Sequence, residues 1–296
     1  MSVPAFLSYL SLERNYSPNT IAAYGTDLGE WGDFCAARHG LQQFESVPYA
    51  LIRGWIVHLV DSKVSNRTIN RKMASLKAYY SFLLRTGVLD FHPMAKHRAL
   101  KTSKKLEIPF SETEMDAVLS QVDFKDDFEG WRDKLVLELL YATGIRRAEL
   151  IALKMGGMDL ESHTIKVLGK RNKERLIPLL GSTIALLEQY LAHRGTLENI
   201  VDDKYVFLLE SGKKMYENLV YRIVNKYLGE VSSKVKKSPH ILRHTFATHL
   251  VNKGADLNSV KELLGHSSLA STQVYTHNSI AELKKVHSAA HPRSGK

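Results

Sequence analysis

Ser238-Pro-His-Ile-Leu-Arg-His-Thr-Phe-Ala-Thr-His249 places His240 and Arg243 three residues apart. Read as a helix, this spacing puts both side chains on one face, each aiming donors at one point. Downstream come Leu264-Gly-His266 and, nine positions beyond that histidine, Tyr275. Two donors, a second histidine and a phenol describe a site for an anion with a nucleophile beside it. The simplest anion with that requirement is a phosphodiester.

The composition is compatible with such a partner. The chain has 296 residues, enough for two domains of ordinary size, with 44% hydrophobic and 24% charged residues, as in soluble globular proteins. No apolar run approaches the roughly 18–20 residues of a membrane span, and Met1-Ser-Val-Pro-Ala-Phe lacks the pattern of a signal peptide. Cys35 is the single cysteine, which excludes a disulfide framework, and its helical surroundings predict a buried thiol. A cytoplasmic protein with no membrane partner is expected. The net charge of +10 favours a polyanion. It is spread along the chain: residues 1–100 hold 11 Lys and Arg against 7 Asp and Glu, and the remainder 30 against 24.

Residues 1–92 read as a helical domain. Apolar positions from Phe6 to Leu12 form a first stripe, and Ser17-Pro18 is a start signal for a second helix carrying Ile21, Tyr24, Leu28 and Trp31. Leu51 to Val60 gives a third helix. A fourth starts at Ser65 and bears Ile69, Met73, Leu76, Tyr80 and Leu83, with Arg67, Arg71, Lys72 and Lys77 as candidate phosphate contacts. Residues 93–110, with two prolines and several basic residues, read as a linker. Residues 111–296 form the second domain. It opens on a Ser111-Glu-Thr-Glu114 capping box, and Thr143-Gly144 breaks an apolar helix so that Arg146 heads the next one, with Glu149 placed to brace it. Thr164 to Leu168 and Glu174 to Leu179 read as a hairpin whose turn holds Lys170 and Arg171. Helices follow to the end of the chain. The fold expected is mainly α with a small β-sheet.

The chemistry follows from residue types. Arginines hold phosphate oxygens with a rigid fork of donors. A tyrosine hydroxyl becomes a useful nucleophile only beside a base or in a strongly cationic pocket. The leaving sugar oxygen needs a proton, which Lys170 or a histidine can give. The candidates are Arg146, Lys170, His240, Arg243, His266 and Tyr275, with Glu149 in support. His240, His244 and His249 make no His-Glu-x-x-His pattern, so no metal and no cofactor is called for. His244, His249 and His277 are taken as packing or hydrogen-bonding residues.

Thr143-Gly-Ile-Arg-Arg-Ala-Glu-Leu150, Gly169-Lys170, His240-Ile-Leu-Arg243, Leu264-Gly-His266 and Tyr275 together resemble the signature of the tyrosine recombinases, in order and separation, over the whole second domain. Tyr16-Ser-Pro-Asn-Thr20 and Arg71-Lys-Met-Ala-Ser-Leu-Lys77 resemble their first domain, and the chain's ending resembles the Xer subgroup. The resemblance implies a helical core-binding domain and a mixed α/β catalytic domain that close on DNA as a C-shaped clamp. It implies attack by Tyr275 on a scissile phosphate, a 3′-phosphotyrosyl link, a Holliday junction and no ATP or metal. The implied partners are duplex DNA with an inverted-repeat core site, sister protomers or a second recombinase in a tetramer held by the final helix docking on a neighbour, and a septal DNA translocase. Chromosome-dimer resolution is the expected role. A mobile-element integrase, a type IB topoisomerase and a catalytically silent DNA-binding relative are the alternatives. Two positions depart from the family pattern: Arg171 stands where a glycine is common and adds a candidate phosphate contact, and Ala148 replaces a common serine.

Overall fold

The computed structural model describes residues 3–103, 107–169, 174–234, 236–265 and 277–294. Lys170, Arg171, His266 and Tyr275, expected in the site, therefore lie outside the described residues. The chain divides into two compact units, Met1–Lys105 and Leu106–Lys296. No helix among the described residues is long and apolar enough to cross a membrane.

The first unit is built from α1 (Val3–Leu12), α2 (Pro18–His39), α3 (Tyr49–Asp61) and α4 (Asn66–Arg85). Its helix starts follow local chemistry. Ser17 and Ser65 accept hydrogen bonds from the Thr20 and Thr68 amides, and Pro18 occupies the first turn where no amide partner is needed. Phe6, Trp31, Trp55, Leu76 and Tyr79 meet in the core, and Cys35 is fully buried there as expected. The stretch read as a linker is tied at both ends. Met94 is buried in this core, and the Asn70 side chain clamps Leu100 with bonds of 2.9 and 2.8 Å. Phe110 belongs to the core of the second unit.

The second unit holds α5 (Glu112–Ser120), α6 (Phe128–Thr143), α7 (Arg147–Ile151), a three-stranded sheet, and then α8 (Gly181–Gly195), α9 (Glu217–Val231), α10 (Pro239–Asn252), α11 (Leu257–Leu264) and α12 (His277–Ala290). The Ser111–Glu114 capping box is formed. Helix α6 is buried almost all round and is the element on which the others pack; its buried Arg132 is paired with Asp133 and Glu129. The sheet is antiparallel in the order β1 (Met158–Asp159), β2 (Thr164–Leu168), β3 (Glu174–Pro178). The register pairs Val167 with Arg175 and Ile165 with Ile177, so Arg175 lies on the apolar, core-facing side.

Helix α12 packs on its own unit: Leu283 and Ala290 join Phe246, Leu250 and Leu263 in one cluster. His287 Nε2 donates to Ala142 O at 2.7 Å and His291 Nε2 to Tyr141 O at 3.4 Å. These carbonyls end α6 and have no partner within it, so the histidines satisfy groups that would otherwise be buried bare. In this single chain the final helix is thus seated on its own unit.

Candidate active site

Three arginines converge on the C-terminal end of α11. Arg175 Nε donates to Leu263 O at 3.3 Å, Arg243 to Leu264 O at 2.6 Å and Arg146 to Gly265 O at 3.2 Å. Three successive carbonyls thus each take one guanidinium. The last carbonyls of a helix lack internal partners and carry its negative partial charge, so cations are stabilised there. Arg243 also donates to Gly144 O at 2.6 Å, where the chain leaves α6 in the left-handed conformation at φ 59°. A Cβ at Gly144 would stand 2.4 Å from a Phe246 ring carbon, so only glycine fits this turn.

One carboxylate serves this cluster. Glu149 takes Arg175 through both oxygens at 2.8 Å, Arg146 Nη1 at 2.8 Å and the Arg146 amide at 2.9 Å. Burial pushes its carboxyl up, but the bonds from Arg175 and Arg146 outweigh burial and hold it down to about 2. Three guanidinium groups then share one negative charge. Burial, with Arg146 and Arg175 nearby, lowers Arg243 to about 10, partly offset by Glu149; it remains cationic at neutral pH. The cluster keeps an excess of two positive charges. Arg146 exposes 39% of its side chain, so the excess faces an accessible surface, whereas Arg175 exposes only 6%.

His240 lies on α10 with Arg243 but does not join this group. Its ring is 75% exposed and stands 3.5 Å from Glu107, which also pairs with Lys236. His244 is exposed. His249 is buried: its Nε2 donates to Phe110 O at 3.0 Å, which leaves Nδ1 to accept from Tyr141 Oη at 2.9 Å. Burial lowers its pKa and keeps it neutral, in line with the hydrogen-bonding role expected for it.

Comparison with known proteins gives this geometry a lineage. Residues 112–282 match the phage integrase family and residues 3–87 match the phage integrase N-terminal SAM-like domain. A tyrosine recombinase XerC of Chlorobaculum parvum is 38% identical over 97% of this chain and 93% of its own length. The tyrosine recombinase XerD of Shewanella oneidensis is 36% identical over 98% and 96%. The chain belongs to the phage integrase family. It is a tyrosine recombinase. Among solved structures, the Tn1549 transposon integrase in complex with transposon right-end DNA superposes with a TM-score of 0.73 at 21% identity, covering 97% of this chain and 99% of that one. The XerH recombinase bound to a palindromic difH substrate gives 0.69 at 22% identity, covering 97% and 84%. Both likenesses confirm the fold, mainly helical with a small sheet.

In the SAM-like domain the basic residues of α4 separate into two groups. Arg67 and Lys77 are exposed, and Arg71, also at the surface, donates from Nη1 to the buried Asp27 at 2.5 Å. Lys72 is buried, with Nζ 2.6 Å from Glu30 and 3.3 Å from Asp27, so it is not available to a phosphate. The recombinase fold also contains an arginine that the sequence reading passed over. In the sequence Arg175 is one residue of a strand, but it stands two residues from Ile177 on the core side, and a charge at a core position of a strand is itself a signal.

Proposed function

We propose that this tyrosine recombinase is a Xer-type, site-specific enzyme that cuts and rejoins duplex DNA at an inverted-repeat core site and resolves chromosome dimers. The observation that carries the reading is the doubly positive arginine cluster on the last carbonyls of α11, from which the chain runs on toward His266 and Tyr275. Arg146 and Arg243 bind the scissile phosphate and take up the charge that develops in the transition state. Each well-placed donor of this kind is worth about 3–4 kcal/mol. Tyr275 Oη attacks phosphorus and gives up its proton to a histidine of the set. The phosphorus–O5′ bond breaks as Lys170 protonates the leaving oxygen, and the strand is held as a 3′-phosphotyrosine. The reverse reaction on a partner strand closes a Holliday junction, so the bond energy is conserved without ATP. His240 and His266 complete the phosphate site, His240 exchanging Glu107 for DNA. Glu149 supports Arg146, and Arg67, Arg71, Lys77 and Arg171 contact the backbone. Four protomers, identical or of two kinds, act together, with a septal DNA translocase as the source of control, in the cytoplasm on the nucleoid.

The test is a denaturing gel of protein mixed with nicked duplex DNA from the host's replication-terminus region, wild type beside Tyr275→Phe. A covalent adduct formed by wild type alone is the expected result. Binding with no adduct in either lane would refute the catalytic reading.

A further inference from the structure

Arg175 presents an arrangement that phosphate binding does not account for. Its side chain is 6% exposed, Nη1 and Nη2 are both committed to Glu149 at 2.8 Å, and Nε is committed to Leu263 O. Three of its five N–H donors are taken, all three by groups that belong to the site's own framework. Its surroundings are shaped to it: Gly265, in the left-handed conformation at φ 63°, lies so close that a Cβ there would stand 3.0 Å from Arg175 Cδ and Nε. The two groups it bonds and the strand it sits on lead to three different parts of the site. Glu149 fixes Arg146 at the start of α7, its own strand β3 follows the turn that carries Lys170, and Leu263 lies three residues before His266.

We propose that Arg175 is a positioning residue of the recombinase, which locks the α7 start, the β2–β3 hairpin and the end of α11 into one register so that Arg146 meets the phosphate correctly. The inference rests on the function proposed above. It makes Glu149 the intermediary: Arg175 acts on Arg146 through the shared carboxylate. It holds that carboxylate ionised against its own burial, and the bidentate geometry fixes its plane. Lysine offers charge without the fork and so replaces the first effect but not the second.

The experiment compares single-turnover adduct formation on nicked site DNA as a function of pH, with DNA affinity and melting temperature measured on the same full-length preparations. The proteins are wild type, Tyr275→Phe, Arg175→Met, Arg175→Lys, Glu149→Gln and the double variant Glu149→Gln/Arg175→Met. The double variant removes both charges together and so avoids stranding a buried carboxylate. Arg175→Met is expected to bind DNA within about threefold of wild type and to cleave it about 100-fold more slowly, the loss that a misplacement of about 1 Å brings. Its rate should gain an acid limb at higher pH than wild type, because burial then raises Glu149 with less to oppose it. Arg175→Lys should restore the pH profile while staying about tenfold slow. The double variant should be no slower than Glu149→Gln alone. Equal cleavage rates for folded Arg175→Met and wild type, or losses that multiply in the double variant, would overturn the positioning role. Absence of any Tyr275-dependent adduct in wild type would instead overturn the function on which it rests.

Discussion

Glu149→Gln tests the charge balance of the site most directly. The substitution keeps the shape of the side chain and removes the one negative charge among three guanidinium groups. The carboxyl is held from its ordinary 4.5 down to about 2, and the group is 5% exposed, so solvent screening is slight. At about 1.4 kcal/mol per pH unit this contributes about 3 kcal/mol to folding at pH 7. Breaking a buried pair by removing one partner gives a similar figure, about 3–5 kcal/mol. Because the folded pKa is depressed, the contribution is fully present above 4.5 and is lost as pH falls toward 2. For a unit of this size about 1 kcal/mol moves the melting temperature by roughly 2–4 °C. Calorimetry of the full chain should therefore show the transition of residues 106–296 some 6–12 °C lower in Glu149→Gln at pH 7, about 3 kcal/mol at this rate. The gap should narrow steadily between about pH 4.5 and pH 2. Glu114, also held near 2 through Lys234, Ser232 and Ser111 against its burial, titrates in both proteins and cancels in the difference. A gap of less than about 2 °C at pH 7, or one as wide at pH 3 as at pH 7, would refute the reasoning.

Three further outcomes are expected. Lys72→Met should destabilise the first unit by about 3–5 kcal/mol, seen as a lower urea midpoint, with the salt dependence of DNA binding unchanged, whereas Arg67→Ala should reduce that salt slope by about 1 and leave stability as it was. Burial lowers His287, and burial followed by His287 holds His291 at about 3, so their contribution is full above 6.5 and fades as pH falls; protection of the α12 amides, taken against the intrinsic exchange rate at each pH, should fall between pH 6.5 and 4, and a His287→Gln/His291→Gln variant should keep the same protection across that range. Gly144→Ala combines a left-handed backbone with a clash against Phe246 and Leu264, and should cost about 2–5 kcal/mol, read as a loss of soluble, cooperatively melting protein.

The sequence signals that proved readable were those with a short physical range. Serines at helix starts, the Ser111–Glu114 box and the period of two in β2 act within four residues, and each is found where the pattern places it. Arg146 and Glu149 belong to this class, being three residues apart at a helix start. What could not be read depends on contacts between distant segments. The meeting of Arg146, Arg175 and Arg243 on three consecutive carbonyls brings together residues up to 119 positions apart, and no periodicity encodes it. Lys72 is an intermediate case. It lies three residues after Ile69 and four before Leu76, squarely within the apolar stripe, so its burial was implied by the same spacing that defined the helix. What hid it was the assumption that a lysine among arginines shares their solvent face; Asp27, buried on α2, supplies the counter-charge that makes the inward position tolerable.

Holding three arginines with backbone carbonyls and one shared carboxylate, rather than one carboxylate each, bears on the proposed catalysis. A carboxylate per guanidinium would orient them equally well and leave the cleft neutral. Backbone carbonyls at a helix end offer about half a charge in total, enough to orient three forks but not to neutralise them. The result is a fixed array whose like charges oppose one another, visible in Arg243, whose pKa burial lowers first and Arg146 and Arg175 lower further. An anion that arrives relieves this repulsion, and the relief grows with its charge. In the reaction proposed above, the pentacovalent state carries one more negative charge than the diester before it, so such an array would stabilise the transition state more than the bound substrate. That difference, and not tight binding itself, is what lowers the barrier. A single carboxylate keeps that excess, and Glu149 is placed where it braces two arginines at once while leaving part of the Arg146 side chain exposed.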